Sequence, residues 1–179
     1  MHNITLHHPT SWLDWLRIYR LYHQAFPREE RKPFAIIRRM RREGRTDVWL
    51  AKVGRRFAGF ASTINGGETT LLDYFAIAPK LRARGLGSAF LQGLLAKYPS
   101  LFVEIEAADQ DDSTGEKARR KAFYQRNGLE EMHVTAILFG VRMELLGRGC
   151  TLDFDAYRTF YHDHYSAWAA EHVVRPEED

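Results

Sequence analysis

Arg82-Ala83-Arg84-Gly85-Leu86-Gly87 is the segment of this sequence best equipped for chemistry. It lies between an almost wholly apolar run, Leu71 to Ala78, and a stretch in which Phe90, Leu91, Leu94, Leu95 and Tyr98 recur at helical spacing. The first run reads as a strand covered on both faces and stopped by Pro79. The second reads as an amphipathic helix from Ser88, with Pro99 following its end. The junction therefore brings arginines and glycines to the first turn of a helix, where backbone N–H groups lack intrahelical partners and the dipole favours negative charge. Glycines let the backbone approach a phosphate closely, and arginines add charge-assisted hydrogen bonds. At about 1.5–3 kcal/mol for each such bond, three or four suffice to hold a pyrophosphate. The chemistry is anion capture. No Lys-Ser/Thr pair follows Gly87, which excludes the Walker-type loop, and the missing third glycine makes a poor dinucleotide fingerprint.

A second group with chemical potential is the carboxylate pair in Val103-Glu104-Ile105-Glu106. The segment Leu101 to Ala107 reads as a strand, and side chains alternate along a strand, so Glu104 and Glu106 share one face. Neighbouring carboxylates repel, which favours one of them holding a proton near neutrality. The alternative is that one or both form salt bridges with nearby arginines.

The elements that must position these groups follow along the chain. Asn3 to His8 alternates as a short edge strand, and Thr10 or Ser11 caps the helix that follows. Trp12, Trp15, Leu16, Tyr19, Tyr22, His23 and Phe26 share a broad face of that helix, most of it expected in the core, with His23 structural. The charged connector from Pro27 to Pro33 reads equally as a lip of the acceptor site or as a solvated break. A second helix spans about Phe34 to Glu43, stopped by Gly44. Its Arg38, Arg39, Arg41 and Arg42, with Arg45, could contact RNA phosphates. A solvated face is the better reading, since no aromatic stacking pattern is interleaved with them. Two strands, Asp47 to Val53 and Arg56 to Ile64, form a hairpin. Asn65-Gly66-Gly67 then turns the chain into the Leu71 strand. After the Leu101 strand come a polar loop, Asp109 to Gly115, and a helix, Glu116 to Asn127, ended by Gly128. A final hairpin turns at Phe139-Gly140. A helical tail from Asp153 to Val173 carries an aromatic stripe of Phe154, Tyr157, Tyr161, Tyr165 and Trp168, read as packing or a dimer surface.

Composition sets the limits. At 179 residues the chain reads as one domain, with its core at about residues 46–147 and the tail at about 152–173. A net charge of +3 suits an anionic cofactor but falls short of a nucleic-acid signature. One cysteine, Cys150, permits no internal disulfide and fits a reducing cytoplasm. No signal peptide, membrane span or metal site is expected.

The strand, basic loop and helix resemble motif A of the GCN5-related N-acetyltransferases (GNAT), [Q/R]-x-x-G-x-[G/A], with Arg82, Gly85 and Gly87 in its specified positions. Ala118-Arg119-Arg120-Lys121-Ala122-Phe123-Tyr124-Gln125-Arg126-Asn127-Gly128-Leu129 resembles the same family's motif B. The resemblance implies an α/β (α+β) GNAT fold, a mixed, mostly antiparallel sheet of about seven strands flanked by helices, with an additional C-terminal helix. It implies acetyl transfer from acetyl-CoA to a primary amine of a small molecule or peptide, directly within a ternary complex. Arg82, Arg84, Gly85, Leu86, Gly87 and Ser88 would then hold the pyrophosphate, and Phe75, Ala76 and Ile77 would line the pantetheine arm. Tyr124 falls where the family often carries its general acid, with a core aromatic as the alternative. Glu104 matches the glutamate of the L-E-V-R-x-S-N segment in ribosomal-protein alanine acetyltransferases, which makes it the first choice of base. Asp73 and Glu106 are the other candidates and suit a cationic acceptor. The chain departs from that branch in having Asp109 where the family has an asparagine, and a longer loop before Glu116. Rival readings are a CoA-binding sensor without turnover and a ribosome- or RNA-associated protein. The acceptor and any homodimer are left open.

Overall fold

The computed structural model describes residues 4–108 and 112–177. Its strands are β1 (Ile4–His7), β2 (Thr46–Val53), β3 (Arg56–Asn65), β4 (Thr70–Ile77), β5 (Leu101–Glu106), β6 (Glu130–Leu138), β7 (Val141–Arg148) and β8 (Val173–Val174). Its helices are α1 (Trp12–Ala25), α2 (Phe34–Arg42), α3 (Leu86–Leu95), α4 (Glu116–Arg126), α5 (Phe154–His164) and α6 (Ala167–Glu171). The strands form a mixed, mostly antiparallel sheet in the order β1-β2-β3-β4-β5-β7-β6-β8. Contacts divide the chain into two compact units, residues 1–65 with 72–97, and residues 66–71 with 98–179.

In the first unit, the edge strand β1 pairs antiparallel with β2, and β2 with β3. Ser11 starts α1 with a capping box: its hydroxyl accepts from the Asp14 amide, and the Asp14 carboxylate accepts from the Ser11 amide. Burial opposes ionisation of Asp14, but the Ser11 hydroxyl and the amides of Thr10 and Ser11 outweigh it and lower its pKa. The buried stripe of α1 is Ile18, Leu21 and Tyr22, packed with Ile37, Val48, Leu50, Phe60, Tyr74 and Ala76. The broad aromatic face expected from the sequence is therefore narrower. Trp12 is 72% exposed and Tyr19 45% exposed, because the helix is rotated to point positions 18, 21 and 22 inward. Trp15 is half-buried and carries the Arg38 and Arg41 guanidinium groups over its ring, at 5.4 and 5.6 Å. Arg39 and Arg45 pair with Glu43, so four of the five arginines at the second helix have partners within the fold.

In the second unit, β4 begins parallel to β5, with Thr70 opposite Leu101 and Leu71 opposite Phe102. β7 is antiparallel to both β5 and β6, and β8 adds to the outer side of β6. The tail departs from the single helix expected. The chain breaks at Tyr165, and Ser166 starts α6 by accepting from the Ala169 amide. The aromatic spacing continues through the break, which hides it from a periodicity argument. The tail then ends as a strand, making eight strands rather than about seven. Asp109 lies outside the described residues, but Asp112 in the same acidic loop accepts from the amides of Ala118 and Lys117. Those backbone hydrogen bonds lower its pKa, so part of the loop's charge caps α4.

Gly59 and Gly66 are among the glycines required by contact. A Cβ on Gly59 would overlap the Ala76 carbonyl of the neighbouring strand, and one on Gly66 would overlap the Phe160 ring. Gly54, in the β2–β3 turn, has open space around it. Gly59→Ala is accordingly expected to lower the unfolding free energy by about 3 kcal/mol or more, and Gly54→Ala by about 1 kcal/mol. Equal losses in denaturant titrations would refute the close approach of β3 to β4.

Candidate functional site

The β4–α3 junction is built as its composition demands. Pro79–Leu81 makes a 3-10 turn after the strand, and Arg82 folds back so that its Nε donates to the Ile77 carbonyl at 3.2 Å. Ala83 and Gly85 both take positive φ, 57° and 72°, which swings the chain into the helix. Gly85 is the N-cap of α3 and has no side chain to close the helix end. The helix starts at Leu86, two residues before the Ser88 start expected from the apolar spacing, so the amides of Leu86, Gly87 and Ser88 form its first turn. Arg82, Arg84 and Gly85 are exposed, and Gly87 and Ser88 are half-buried. Such an end, with two guanidinium groups close in sequence, has the donors an anionic group would need. On β4 itself, Phe75 packs its ring on Phe90 of α3, with centroids 5.1 Å apart, while Ala76 and Ile77 are buried.

The connector from Pro27 to Pro33 is tied to the same strand. Tyr22 Oη donates to the Lys32 carbonyl at 2.9 Å, and Tyr74 Oη donates to the Glu30 carbonyl at 2.9 Å. The Lys32 amide donates back to Tyr74 Oη at 3.1 Å. Lys32 Nζ then meets Asp73 Oδ1 at 2.6 Å, and only 9% of the Asp73 side chain is exposed. Burial pushes the Tyr22 phenol up to about 12 and Tyr74 higher still, with the Asp73 charge adding to both. The connector, which the sequence left as lip or solvated break, is a clasp on β4. The ammonium at Asp73 is the chain's own, from Lys32.

The second unit holds the carboxylate pair. Glu106 pairs with Lys117 Nζ of α4 at 3.3 Å, and Glu104 Oε2 accepts from Tyr161 Oη of α5 at 3.0 Å. Among the described residues these partners are a lysine and a tyrosine. Alternation puts Glu104 on the face of β5 shared by Phe102, which packs on Tyr157 and Phe160 of α5. On α4, Lys121 reaches Glu144 at 2.7 Å, and the cross-strand partner of Glu144 is Ile105, on the opposite face. Tyr124 belongs to α4, whose Lys117 reaches Glu106, on the Glu104 face of β5, and whose Lys121 reaches Glu144. Tyr124 is buried, with its ring edge-on to Phe123. Burial raises its phenol to about 12 while the Arg120 charge pulls the other way. A cleft of about 600 Å³ lined by Gly128, Glu130, Met132, His133 and Cys150 contains none of these residues. Tyr161, Lys32 and Tyr74 were not singled out as functional from the sequence. For Tyr161, its place in an aromatic stripe was the one available signal.

A family model described as Acetyltransferase (GNAT) family matches residues 12–129. The chain belongs to that family. YjbC of Bacillus subtilis (strain 168), named as a candidate acetyltransferase, is 32% identical over 118 residues. That match covers 64% of this chain and 55% of the relative, so the chain spans little more than half the length of YjbC. A candidate GNAT-family acetyltransferase from Bacteroides thetaiotaomicron superposes with a TM-score of 0.77 at 20% identity, over 94% of this chain and 98% of the other. A GNAT family acetyltransferase from Elizabethkingia anophelis, solved with acetyl-CoA bound, gives 0.61 at 22% identity, over 83% and 99%. At such identities the solved structures bear on fold alone. Among the described residues, no helix is long and apolar enough to cross a membrane.

Lys32→Met leaves the Asp73 carboxylate without its ammonium in a nearly closed setting. It is expected to lower stability by about 3 kcal/mol, the low end for breaking a buried pair. Adding Asp73→Asn should restore most of that loss in a double-mutant cycle, and additive losses would show that the two do not interact. The tyrosines make a separate expectation. Their folded pKa values lie above the unfolded value near 10, so their contribution is complete below pH 10 and is lost as pH rises. Thermal midpoints should fall between about pH 10 and 12, and less steeply in Tyr74→Phe. Identical alkaline slopes would refute the clasp's role.

Proposed function

We propose that the chain is an acetyl-CoA-dependent N-acetyltransferase that moves an acetyl group to a primary amine by direct transfer in a ternary complex. The observation that carries this reading is the uncapped first turn of α3, Leu86 to Ser88, behind Arg82 and Arg84 at the end of β4, in a chain of the GNAT family. The pyrophosphate of acetyl-CoA is the ligand that those amides and guanidinium groups suit. Phe75, Ala76 and Ile77 take the pantetheine arm, and one of their amides faces the thioester oxygen.

The reaction makes an amide C–N bond and breaks the thioester C–S bond. The acceptor ammonium must first lose a proton, which we assign to Glu104; the departing thiolate gains one, which we assign to Tyr124, and the second proton leaving nitrogen as the amide forms restores the phenol. A phenol raised to about 12 stays protonated at neutral pH, as a general acid must. Glu106 and Asp73 supply negative charge for a cationic acceptor. In both cases a lysine of the chain must be displaced first, which favours an acceptor with more than one positive charge.

Release of thiol from acetyl-CoA, measured against polyamines, aminoglycosides, amino acids and short peptides, tests the reading. Turnover with one group is expected. Tight CoA binding in calorimetry without turnover against any acceptor would favour a sensor. Gly87→Trp should abolish acetyl-CoA binding by filling the approach to the α3 amides, and retained binding would refute the phosphate assignment. Glu104→Gln and Tyr124→Phe should each lower kcat by roughly 10²–10⁴. Wild-type rates in either would remove that residue from the mechanism.

A further inference from the structure

Glu104 is covered by a helix beyond the stretch matched by the family model. α5 is capped by Asp153, whose carboxylate accepts from the Ala156 amide at 2.8 Å, and buries Phe154, Tyr157, Phe160 and Tyr161. Tyr157 and Tyr161 are one helical turn apart and so share a face. Their rings are in edge contact, with centroids 5.3 Å apart. Phe102, two residues before Glu104 on β5, meets Phe160 edge-on at 5.1 Å. The absence of a side chain at Gly66 leaves room for the Phe160 ring. The packing fixes α5 on this face of β5 and brings a tyrosine hydroxyl to the carboxylate.

We propose that Tyr161, supported by Tyr157, is a positioning residue for the base Glu104, so that α5 forms part of the catalytic apparatus. The proposal rests on the assignment of Glu104 as the base. Tyr161 Oη donates to Oε2 at 3.0 Å and fixes which carboxylate oxygen faces α5. Tyr157 is fully buried, and desolvation together with the Glu104 charge holds its phenol well above the ordinary value. The Tyr157 phenol therefore remains protonated at neutral pH. Titratable groups on the elements around Glu104 include Glu106 on its own strand, paired with Lys117 of α4, Glu144 on β7, paired with Lys121 of α4, and Tyr165 at the end of α5, stacked on Tyr161. The cross-strand partner of Glu104 on β7 is the apolar Leu145. The hydrogen bond from Tyr161 sets the orientation of this carboxylate.

The test uses the whole chain with acetyl-CoA and the acceptor that the panel identifies. Tyr161→Phe should lower kcat about tenfold with the KM for acetyl-CoA unchanged. It should also move the acid limb of the kcat profile to higher pH, because a carboxylate without its donor binds a proton more readily. Incorporating 3-fluorotyrosine at position 161 keeps the side-chain shape and strengthens the donor, so the limb should move the other way. Combining Tyr161→Phe with Glu104→Gln should be no slower than Glu104→Gln alone. A Tyr161→Phe enzyme with a lower thermal midpoint but unchanged kcat and acid limb would overturn the proposal, leaving Tyr161 a packing residue. Full activity in Glu104→Gln, or silence of the wild type across the panel, would instead overturn the base assignment and the proposal with it.

Discussion

A carboxylate and a phenol hydroxyl stand side by side on β4, and both are nearly closed off from water. Desolvated polar groups are costly unless they are bonded, and two on adjacent residues point to opposite faces of a strand. One run of chain solves both problems. The connector between α1 and α2 gives its carbonyl and amide to Tyr74 and its Lys32 ammonium to Asp73. Tyr22 then holds that connector from α1. The aromatic cluster of Tyr22, Phe26, Phe60 and Tyr74 is assembled around the same hydroxyls. The strand that precedes the β4–α3 turn is thus held by these hydrogen bonds and by the packing of Phe75 on Phe90 of α3.

The second unit repeats the logic with different parts. Glu104 is a half-buried carboxylate on β5, and it too is met by a residue from far along the chain, here a tyrosine on α5. In both units the polar group lies on a strand and its partner on a helix or connector that packing has already fixed. Electrostatics sets the final orientation of groups that apolar burial has brought within reach. Lys117 with Glu106 and Lys121 between Glu131 and Glu144 extend the pattern along α4.

The β4–α3 junction was legible in the sequence because each of its parts is local. An apolar run, two glycines and a helical repeat can be read within thirty residues. The β2–β3 hairpin and the Gly128 helix end were legible for the same reason. Lys32 and Asp73 are 41 residues apart, and Tyr161 and Glu104 are 57 apart. No periodicity links such pairs, so a lysine in a charged run and a tyrosine in an aromatic stripe looked like solvent and core. The rotation of α1 was missed because Trp12 and Tyr19 fit the helical repeat as well as Ile18 and Tyr22 do. Aromatic character alone does not say which arc of a helix faces a sheet. The break at Ser166 escaped because a single capping serine is weak against a continuing apolar stripe.

The distance along the chain between Glu104 and Tyr161 also has a meaning in time. The ribosome adds about 5–20 residues each second, so the 57 residues between them take about 3–11 s to make. During that interval β5 can have emerged while β7, its antiparallel neighbour, and α5, its cover, have not. Val174, which pairs with β6, comes later still. The nascent second unit thus carries an uncovered carboxylate beside an open apolar strand for seconds. The acid on β5 gives that transiently exposed edge a negative charge, which discourages it from pairing with its like on a neighbouring polysome chain.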